Sequence, residues 1–270
     1  MAPRRLKEYR IYEIKLRCIT GLRIGGTKEV AAIGECDNPI IRDPLTRKPY
    51  IPGSSLKGKL RSLLELTEGK YSNNGGPCSC GTAECNVCTL FGVGAQSRSE
   101  QMEDSPENGK GVSMPRLIFR DLYLTCDSKQ LLRNCLDGDY TEEKTEVTID
   151  RSSGKAIKGG LRSMERVPAG AEFEGKIAMR VFEDDDAEKH ERVLTQTLKL
   201  LEYDYLGGCG TRGYGQIQIE IVECKRVSPD NKVLIISKDS TSDSSTSALP
   251  SEKPMREEMR ESAKTPQKRF

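Results

Sequence analysis

The sequence has a single histidine and no run of about 18 apolar residues. Its first ten residues, MAPRRLKEYR, also lack the apolar stretch of a secretory signal. These absences exclude membrane-spanning and secreted classes of protein, so we expect a cytoplasmic one. The lone histidine, His190, lies in the charged segment EDDDAEKHER, where we expect it to be exposed to solvent. Histidine-based acid–base chemistry is therefore almost excluded.

Cysteine, in contrast, is plentiful, with ten residues in the chain. Because thiols stay reduced in the cytosol, these cysteines are candidate metal ligands, buried small side chains or reactive groups rather than disulfides. Four of them follow the spacing C-x-C-x₄-C-x₂-C inside an insertion, residues 72–111, that has little core of its own. This spacing predicts a structural Zn²⁺ site, with unligated thiols or an iron–sulfur cluster as the alternatives. The four candidate ligands are Cys78, Cys80, Cys85 and Cys88.

Positive charge is concentrated at the start of the chain. Residues 1–70 hold 15 Lys and Arg against 8 Asp and Glu, a balance of +7 within a chain whose net charge is +2. A basic segment of this kind is typical of proteins that bind nucleic acid, a nucleotide or another anionic partner. A solvated charged face is the alternative.

Hydrophobic periodicity predicts an α+β fold. Apolar and polar residues alternate through residues 10–20 as in a half-buried strand, and residues 190–203 repeat apolar side chains with helical spacing. Residues 237–270 have six apolar residues among 34, so we expect a disordered, dispensable tail after one domain at 1–236. Further strands are predicted at 116–125, 147–149, 172–181 and 214–222.

The segment YIPGSSLKGKLRSLLEL, residues 50–66, predicts a helix, because leucines recur at i, i+4, i+7 and i+8 from Leu56. Ser54 or Ser55 is placed to cap its start. The stretch GSSLKGKL nearly matches the phosphate loop of nucleotide hydrolases, but a leucine replaces the Mg²⁺-binding hydroxyl, so that activity is not expected. Basic side chains near the start of a helix oppose the helix dipole, which is tolerated where an anion binds to the helix start. The alternative is surface charge that binds no ligand. These side chains are Lys57, Lys59 and Arg61.

A glycine-rich segment, GGCGTRGYG, matches the dinucleotide-binding pattern G-x-G-x-x-G. The residues that follow alternate as in a strand, whereas that pattern must open a helix, so dinucleotide binding is not expected. A glycine-rich turn still allows the backbone to approach a ligand closely, with Arg212 and Tyr214 available to contact a phosphate or a base. A plain tight connection between helix and strand is the alternative.

One acidic residue stands between two segments with basic residues. Asp37 lies in IGECDNPIIRD, with Arg23, Arg42 and Asp43 as possible neighbours in space. A carboxylate in such surroundings is suited to accept a proton or to hold Mg²⁺.

Five motifs in this order carry a family resemblance: GLRIGG, GECDNPIIRDPLTRKPYIPGSSLKGKLRSLLE, CTLFG, TEVTIDRSSGKAIKGGLRSMERVPAGAEFEGKIAMRV and GGCGTRGYGQIQIEI. Together they resemble the repeating backbone subunit of type III-A CRISPR interference complexes, in the RAMP superfamily. The resemblance covers residues 10–222. It implies an RRM-like (ferredoxin-like) core with insertions, and a projecting β-hairpin thumb at about 141–167 that splays one base pair of the guide–target duplex every six nucleotides.

The same resemblance implies a function and the residues that perform it. It predicts a metal-dependent endoribonuclease that polymerises along guide RNA with copies of itself and other subunits, and it assigns cleavage of complementary target RNA to Asp37, with Mg²⁺ or a similar ion. A zinc site in the insertion occurs in some relatives. A non-catalytic RNA-binding scaffold and a zinc-dependent protein-interaction module are the alternatives. The predicted RNA contacts are Arg23, Lys57, Lys59, Arg61, Arg212 and Tyr214.

Overall fold

The computed structural model describes residues 4–26, 38–72, 75–93, 114–136, 139–230 and 233–236. It confirms a mixed α/β fold with an antiparallel sheet, and every segment predicted from periodicity is present with shifted ends. The predicted strand at 116–125 is two short strands. The elements are β1 (Leu6–Cys18), β2 (Tyr50–Ile51), α1 (Gly53–Glu68), α2 (Asn86–Phe91), β3 (Leu117–Phe119), β4 (Leu122–Leu124), α3 (Cys126–Cys135), β5 (Glu142–Ile149), β6 (Ala156–Arg166), β7 (Glu172–Phe182), α4 (Ala187–Tyr203), β8 (Ile217–Val227) and β9 (Val233–Ile236).

The main sheet is built around β1, which pairs antiparallel with β7 on one side and β8 on the other. Its strand order is β2-β4-β7-β1-β8-β9, and β3 also pairs with β7. The alternation in β1 buries one set of side chains, as the sequence predicts. This set is Arg10, Tyr12, Ile14, Leu16 and Cys18. β5 and β6 form a separate two-stranded sheet, here called the β5–β6 hairpin.

Helices α1 and α4 bury the leucines that their periodicity predicts, and α4 packs against α1 and β8. The expectation that His190 is exposed is wrong, since this side chain is 7% exposed. Helix α4 begins before the predicted residue 190, with the Asp186 side chain accepting a hydrogen bond from the Lys189 N–H. His190 therefore lies one turn before the buried Leu194, on the core side of the helix.

The start of α1 is capped differently from the prediction. The helix begins at Gly53, so Ser54 and Ser55 lie inside it and neither caps it with a side chain. The Gly53 N–H donates instead to Oδ1 of Asp121, at 2.8 Å. The carboxylate of Asp121 thus occupies the helix end where an external anion was considered.

Part of the insertion at 72–111 packs into the main core rather than forming a core of its own. Val87, Leu90 and Phe91 of α2 are all buried within the same hydrophobic cluster as α1 and β1. The reason is the amphipathic segment NVCTLF, which packs its apolar side chains inward although it is short. Residues 94–111 and the tail at 237–270 lie outside the described residues. No helix within the described ranges is long and apolar enough to span a membrane.

Candidate functional site

The four clustered cysteines bring their sulfur atoms within 4.8 Å of one another. Four of the distances between Sγ atoms are 3.7 or 3.8 Å. Sulfurs bound tetrahedrally to Zn²⁺ at about 2.3 Å lie about 3.8 Å apart, so the arrangement fits a Cys₄ zinc site. Cys80 is exposed, and the other three, Cys78, Cys85 and Cys88, are buried.

Hydrogen bonding favours the metal-binding form of one of these thiols. Burial acts to raise the pKa of Cys80, but hydrogen bonds from Thr82, Cys85 and Cys78 lower it to about 6. The thiolate is the form that binds a metal. Burial raises the pKa of Cys85 and Cys88, a shift that the charge of a bound cation opposes.

The cysteine loop is fastened to α1 by an ion pair. Arg61 donates from Nε to Oε1 of Glu65 at 2.8 Å, a pair with i,i+4 spacing. The same two side chains bind the backbone of Cys78: its carbonyl accepts from Arg61 Nη2 at 2.7 Å, and its N–H donates to Glu65 Oε1 at 2.9 Å. Arg61, predicted as an RNA contact, therefore already holds the cysteine loop.

The basic residues nearer the start of α1 have different surroundings. Lys59 places Nζ 2.9 Å from a carboxylate oxygen of Asp204 and 3.9 Å from the ring centre of Tyr205. Lys57 is half-buried, and burial together with the charge of Arg61 lowers its pKa. No ion pair of Lys57 is found within the described residues.

The glycine-rich turn lies against Arg23 and Tyr205. The Gly208 N–H donates to the carbonyl of Arg23 at 2.8 Å. Gly207 has φ +81°, and a Cβ there would lie 2.2 Å from the same carbonyl oxygen. A Cβ on Gly210 would lie 1.9 Å from the Tyr205 ring, so the turn requires glycine at both positions.

Tyr214 and Arg212 join this turn to the β5–β6 hairpin. Tyr214 is 1% exposed, and its hydroxyl donates to Oε1 of Glu146 at 2.9 Å. Arg212 is exposed and places Nε 3.4 Å from the other carboxylate oxygen of Glu146. The Tyr214 ring is thus covered in the free chain, whereas the Arg212 guanidinium still reaches solvent.

Asp37 lies outside the described residues, and the segment that follows it is held against the hairpin. Asn38 forms a bridge with Met164 of β6, and Nδ2 of Asn38 donates to the Ser163 carbonyl at 3.2 Å. Glu165 accepts from the Ile40 N–H at 2.8 Å and also pairs with Arg42, Asp37's predicted neighbour.

Of the predicted RNA contacts, the structure gathers four around the glycine-rich turn, while Arg61 turns towards the cysteine loop. The four are Arg23, Lys59, Arg212 and Tyr214. Sequence reasoning missed several partners of these residues. The sequence could have indicated Asp204 and Tyr205 as partners, because they lie just before the turn. The other partners lie far from the turn and from α1 in the sequence, and no pattern indicated that they would contact these residues. They are Glu146, Glu165 and Asp121.

Comparison with known proteins places these features in a family. The family model of the RAMP superfamily matches residues 15–218. The protein named "CRISPR system Cms endoribonuclease Csm3" from Methanocaldococcus jannaschii is 45% identical over 213 residues, which are 76% of this chain and 77% of that relative. Its namesake from Streptococcus thermophilus is 36% identical over 80% of this chain and 89% of its own.

Solved structures with the same fold carry related descriptions. A chain of the Csm3–Csm4 subcomplex in the type III-A CRISPR-Cas interference complex matches with a TM-score of 0.51 at 27% identity, covering 86% of this chain and 89% of its own. The crystal structure of Csm3 from Methanopyrus kandleri matches with a TM-score of 0.57 at 24% identity, covering 83% of this chain and 79% of its own. At this identity the second match supports the fold alone.

Proposed function

The chain belongs to the RAMP superfamily, and from this membership we propose that it is an endoribonuclease that serves as a backbone subunit of a type III CRISPR effector complex. The observation that carries the proposal is the 45% identity to a Csm3 endoribonuclease over about three quarters of both chains. The described domain is accordingly an RRM-like core with insertions. Its partners are guide RNA, complementary target RNA, further copies of itself along the guide, and other subunits of the complex.

RNA binding is assigned to the basic side chains around the glycine-rich turn and at the start of α1. Lys57 has no ion pair among the described residues, Arg212 is exposed, and Arg23 and Lys59 lie beside the same turn. Contacts of this kind bind the sugar–phosphate backbone whatever the base sequence is. Sequence specificity then comes from base pairing with the guide, as in other RNA-guided effectors.

Cleavage is assigned to Asp37. RNA carries its own nucleophile, the 2′-hydroxyl, so the protein must align that oxygen with the phosphorus and remove its proton. Asp37 would accept this proton directly, or would hold a divalent ion whose bound water accepts it, and such an ion would supply positive charge beside the scissile phosphate. The β5–β6 hairpin acts as the thumb that splays the base pair next to the cut.

The cysteine cluster is assigned a structural Zn²⁺. Its four sulfurs have the spacing of a tetrahedral site, and four thiolates leave no open position for substrate. Arg61 and Glu65 hold the loop against α1, and a bound Zn²⁺ would stabilise the loop that they hold. Zinc therefore supports the RNA-binding helix rather than the cleavage step.

The test is cleavage of guide-complementary RNA by the assembled complex with Mg²⁺. We expect products at constant spacing, and we expect Asp37→Ala to abolish cutting while guide and target binding persist. Asp127→Ala, which removes an exposed carboxylate from the first turn of α3, is the matched control and should cut normally. A wild-type complex that binds target and leaves it intact would instead support the non-catalytic scaffold.

A further inference from the structure

Glu146 lies on the β5–β6 hairpin, and its side chain contacts two residues of the glycine-rich turn. We propose that Glu146 competes with RNA for Arg212: its carboxylate holds this guanidinium in the free chain, and a phosphate of the RNA takes its place on binding. This inference rests on the proposed function, because it takes RNA as the ligand of Arg212.

The two oxygens of the Glu146 carboxylate have different partners. Oε1 accepts a hydrogen bond from the Tyr214 hydroxyl at 2.9 Å. Oε2 lies 3.4 Å from Nε of Arg212 and 3.6 Å from Nε of Arg162. Within the described residues Oε2 accepts no hydrogen bond. The contact between Glu146 and Arg212 is therefore an ion pair without a hydrogen bond.

This ion pair is a contact that an external anion can replace. The Arg212 side chain is 45% exposed, whereas that of Glu146 is 12% exposed, so a phosphate can reach the guanidinium from solvent. Nη2 of Arg212 donates to Sγ of Cys209 at 2.7 Å, which holds the guanidinium on the turn. Because Arg162 also lies beside the carboxylate, the exchange leaves the largely buried Glu146 with a counter-charge.

A phosphate of RNA is a stronger partner for this guanidinium than Glu146 is. Arginine binds phosphate oxygens through paired, charge-assisted hydrogen bonds, and each phosphate contact releases a counterion from the RNA. A partly exposed ion pair is weak in comparison. Glu146 therefore lowers the affinity for RNA without preventing binding.

Competition of this kind links RNA binding to the hairpin. Coupling between two binding events is reciprocal, so bound RNA weakens the attachment of Glu146 to Arg212 by the same factor by which Glu146 weakens RNA binding. The hydrogen bond from Tyr214 does not involve the guanidinium. The hairpin is therefore attached most firmly to the turn in the free chain.

The test is the affinity of the full chain for oligouridine, a single strand without internal base pairs, measured by fluorescence anisotropy at constant salt. Glu146→Gln removes the charge but keeps an oxygen that accepts the Tyr214 hydrogen bond. We expect it to bind up to about fivefold more tightly than wild type, the range for one partly exposed ion pair. Glu146→Asp keeps the charge but withdraws the carboxylate by one methylene, so it should also bind more tightly.

Glu143→Gln is the matched control, because it removes the same charge from the same strand. Glu143 is exposed and lies three residues before Glu146, so its side chain points to the opposite face of the hairpin. The affinity of this variant should stay close to that of the wild type.

A double-mutant cycle tests whether the gain passes through Arg212. Arg212→Ala should weaken binding, and the addition of Glu146→Gln should then restore none of the loss. An equal gain in the Arg212→Ala background would indicate general repulsion of RNA by Glu146 and would overturn the proposal. So would Glu146 variants that bind no more tightly than Glu143→Gln. A wild-type chain that does not bind oligouridine is a different result, which overturns the assignment of RNA binding itself.

Discussion

Tyr214 donates its hydroxyl hydrogen bond to Glu146 at 2.9 Å, and this contact ties the glycine-rich turn to the β5–β6 hairpin. The ammonium of Lys144 and the guanidinium of Arg166 lie 4.7 and 5.1 Å from the centre of the Tyr214 ring. Glu146 also forms an ion pair with Arg162 across the hairpin. The buried Tyr214 ring and the Glu146 carboxylate therefore join the hairpin to the glycine-rich turn.

We expect Tyr214→Phe to lower the free energy of unfolding by about 1 kcal/mol, because it removes one hydrogen bond to a charged acceptor and leaves that acceptor partly unpaired. Urea unfolding of the full chain measures the change. Tyr12→Phe is a matched control: Tyr12 is also 1% exposed, but within the described residues its hydroxyl has no hydrogen-bond partner. Tyr12→Phe should leave the free energy of unfolding unchanged or raise it. An equal loss of unfolding free energy in the two variants would contradict the prediction.

Removal of the metal should destabilise the cysteine loop and α1 together. We expect the purified protein to hold about one zinc per chain, and Cys80→Ser with Cys85→Ser to lose it, with a lower thermal unfolding midpoint. Metal analysis and thermal unfolding measure the two effects. Cys135→Ser is the control, since this cysteine is exposed and lies outside the cluster. Metal-free protein of unchanged stability would show that the four thiols are unligated.

Local patterns were sufficient to predict the long elements β1, α1, β7, α4 and β8, but they did not predict the short helices α2 and α3. The alternation in β1 and the leucine spacing in α1 each involve residues within one element, whose geometry fixes which side chains are buried. The order of the cysteines also predicted a cluster, because a short loop brings its own residues together. These features depend on neighbours along the chain.

What the sequence did not show depends on contacts between distant segments. Asp121 caps α1 from 68 residues away, and Glu146 reaches Tyr214 over the same separation. From the sequence alone, Arg61 is expected to be an exposed basic residue of a helix. The structure shows instead that it donates a hydrogen bond to the carbonyl of Cys78. Such partners become visible only when the sheet and its insertions have fixed the elements in space.

The structure separates two basic residues of α1 that look equivalent in the sequence. We expect Lys57→Ala to weaken guide-RNA binding and to flatten the plot of log affinity against log salt by about 0.7, the value for one phosphate contact on a single strand.

We expect Arg61→Ala to cost about 1–3 kcal/mol of stability, because it leaves the buried Glu65 carboxylate without its ion pair. Salt-dependent binding and urea unfolding measure these effects. An Arg61→Ala protein of wild-type stability would remove its assigned role in holding the cysteine loop.

His190 should make stability depend on pH below its ordinary pKa. Burial lowers its pKa below 6.5, against the charge of Asp185, which acts to raise it. As the pH falls, His190 therefore becomes protonated in the unfolded chain before it does so in the folded chain. The folded state has its full stability above about pH 6.5 and loses part of it below that pH. We expect His190→Gln to flatten the decline in unfolding free energy as the pH falls below about 6.5. Because the chain has no other histidine, the difference between the two proteins isolates this group, and parallel pH profiles would contradict the prediction.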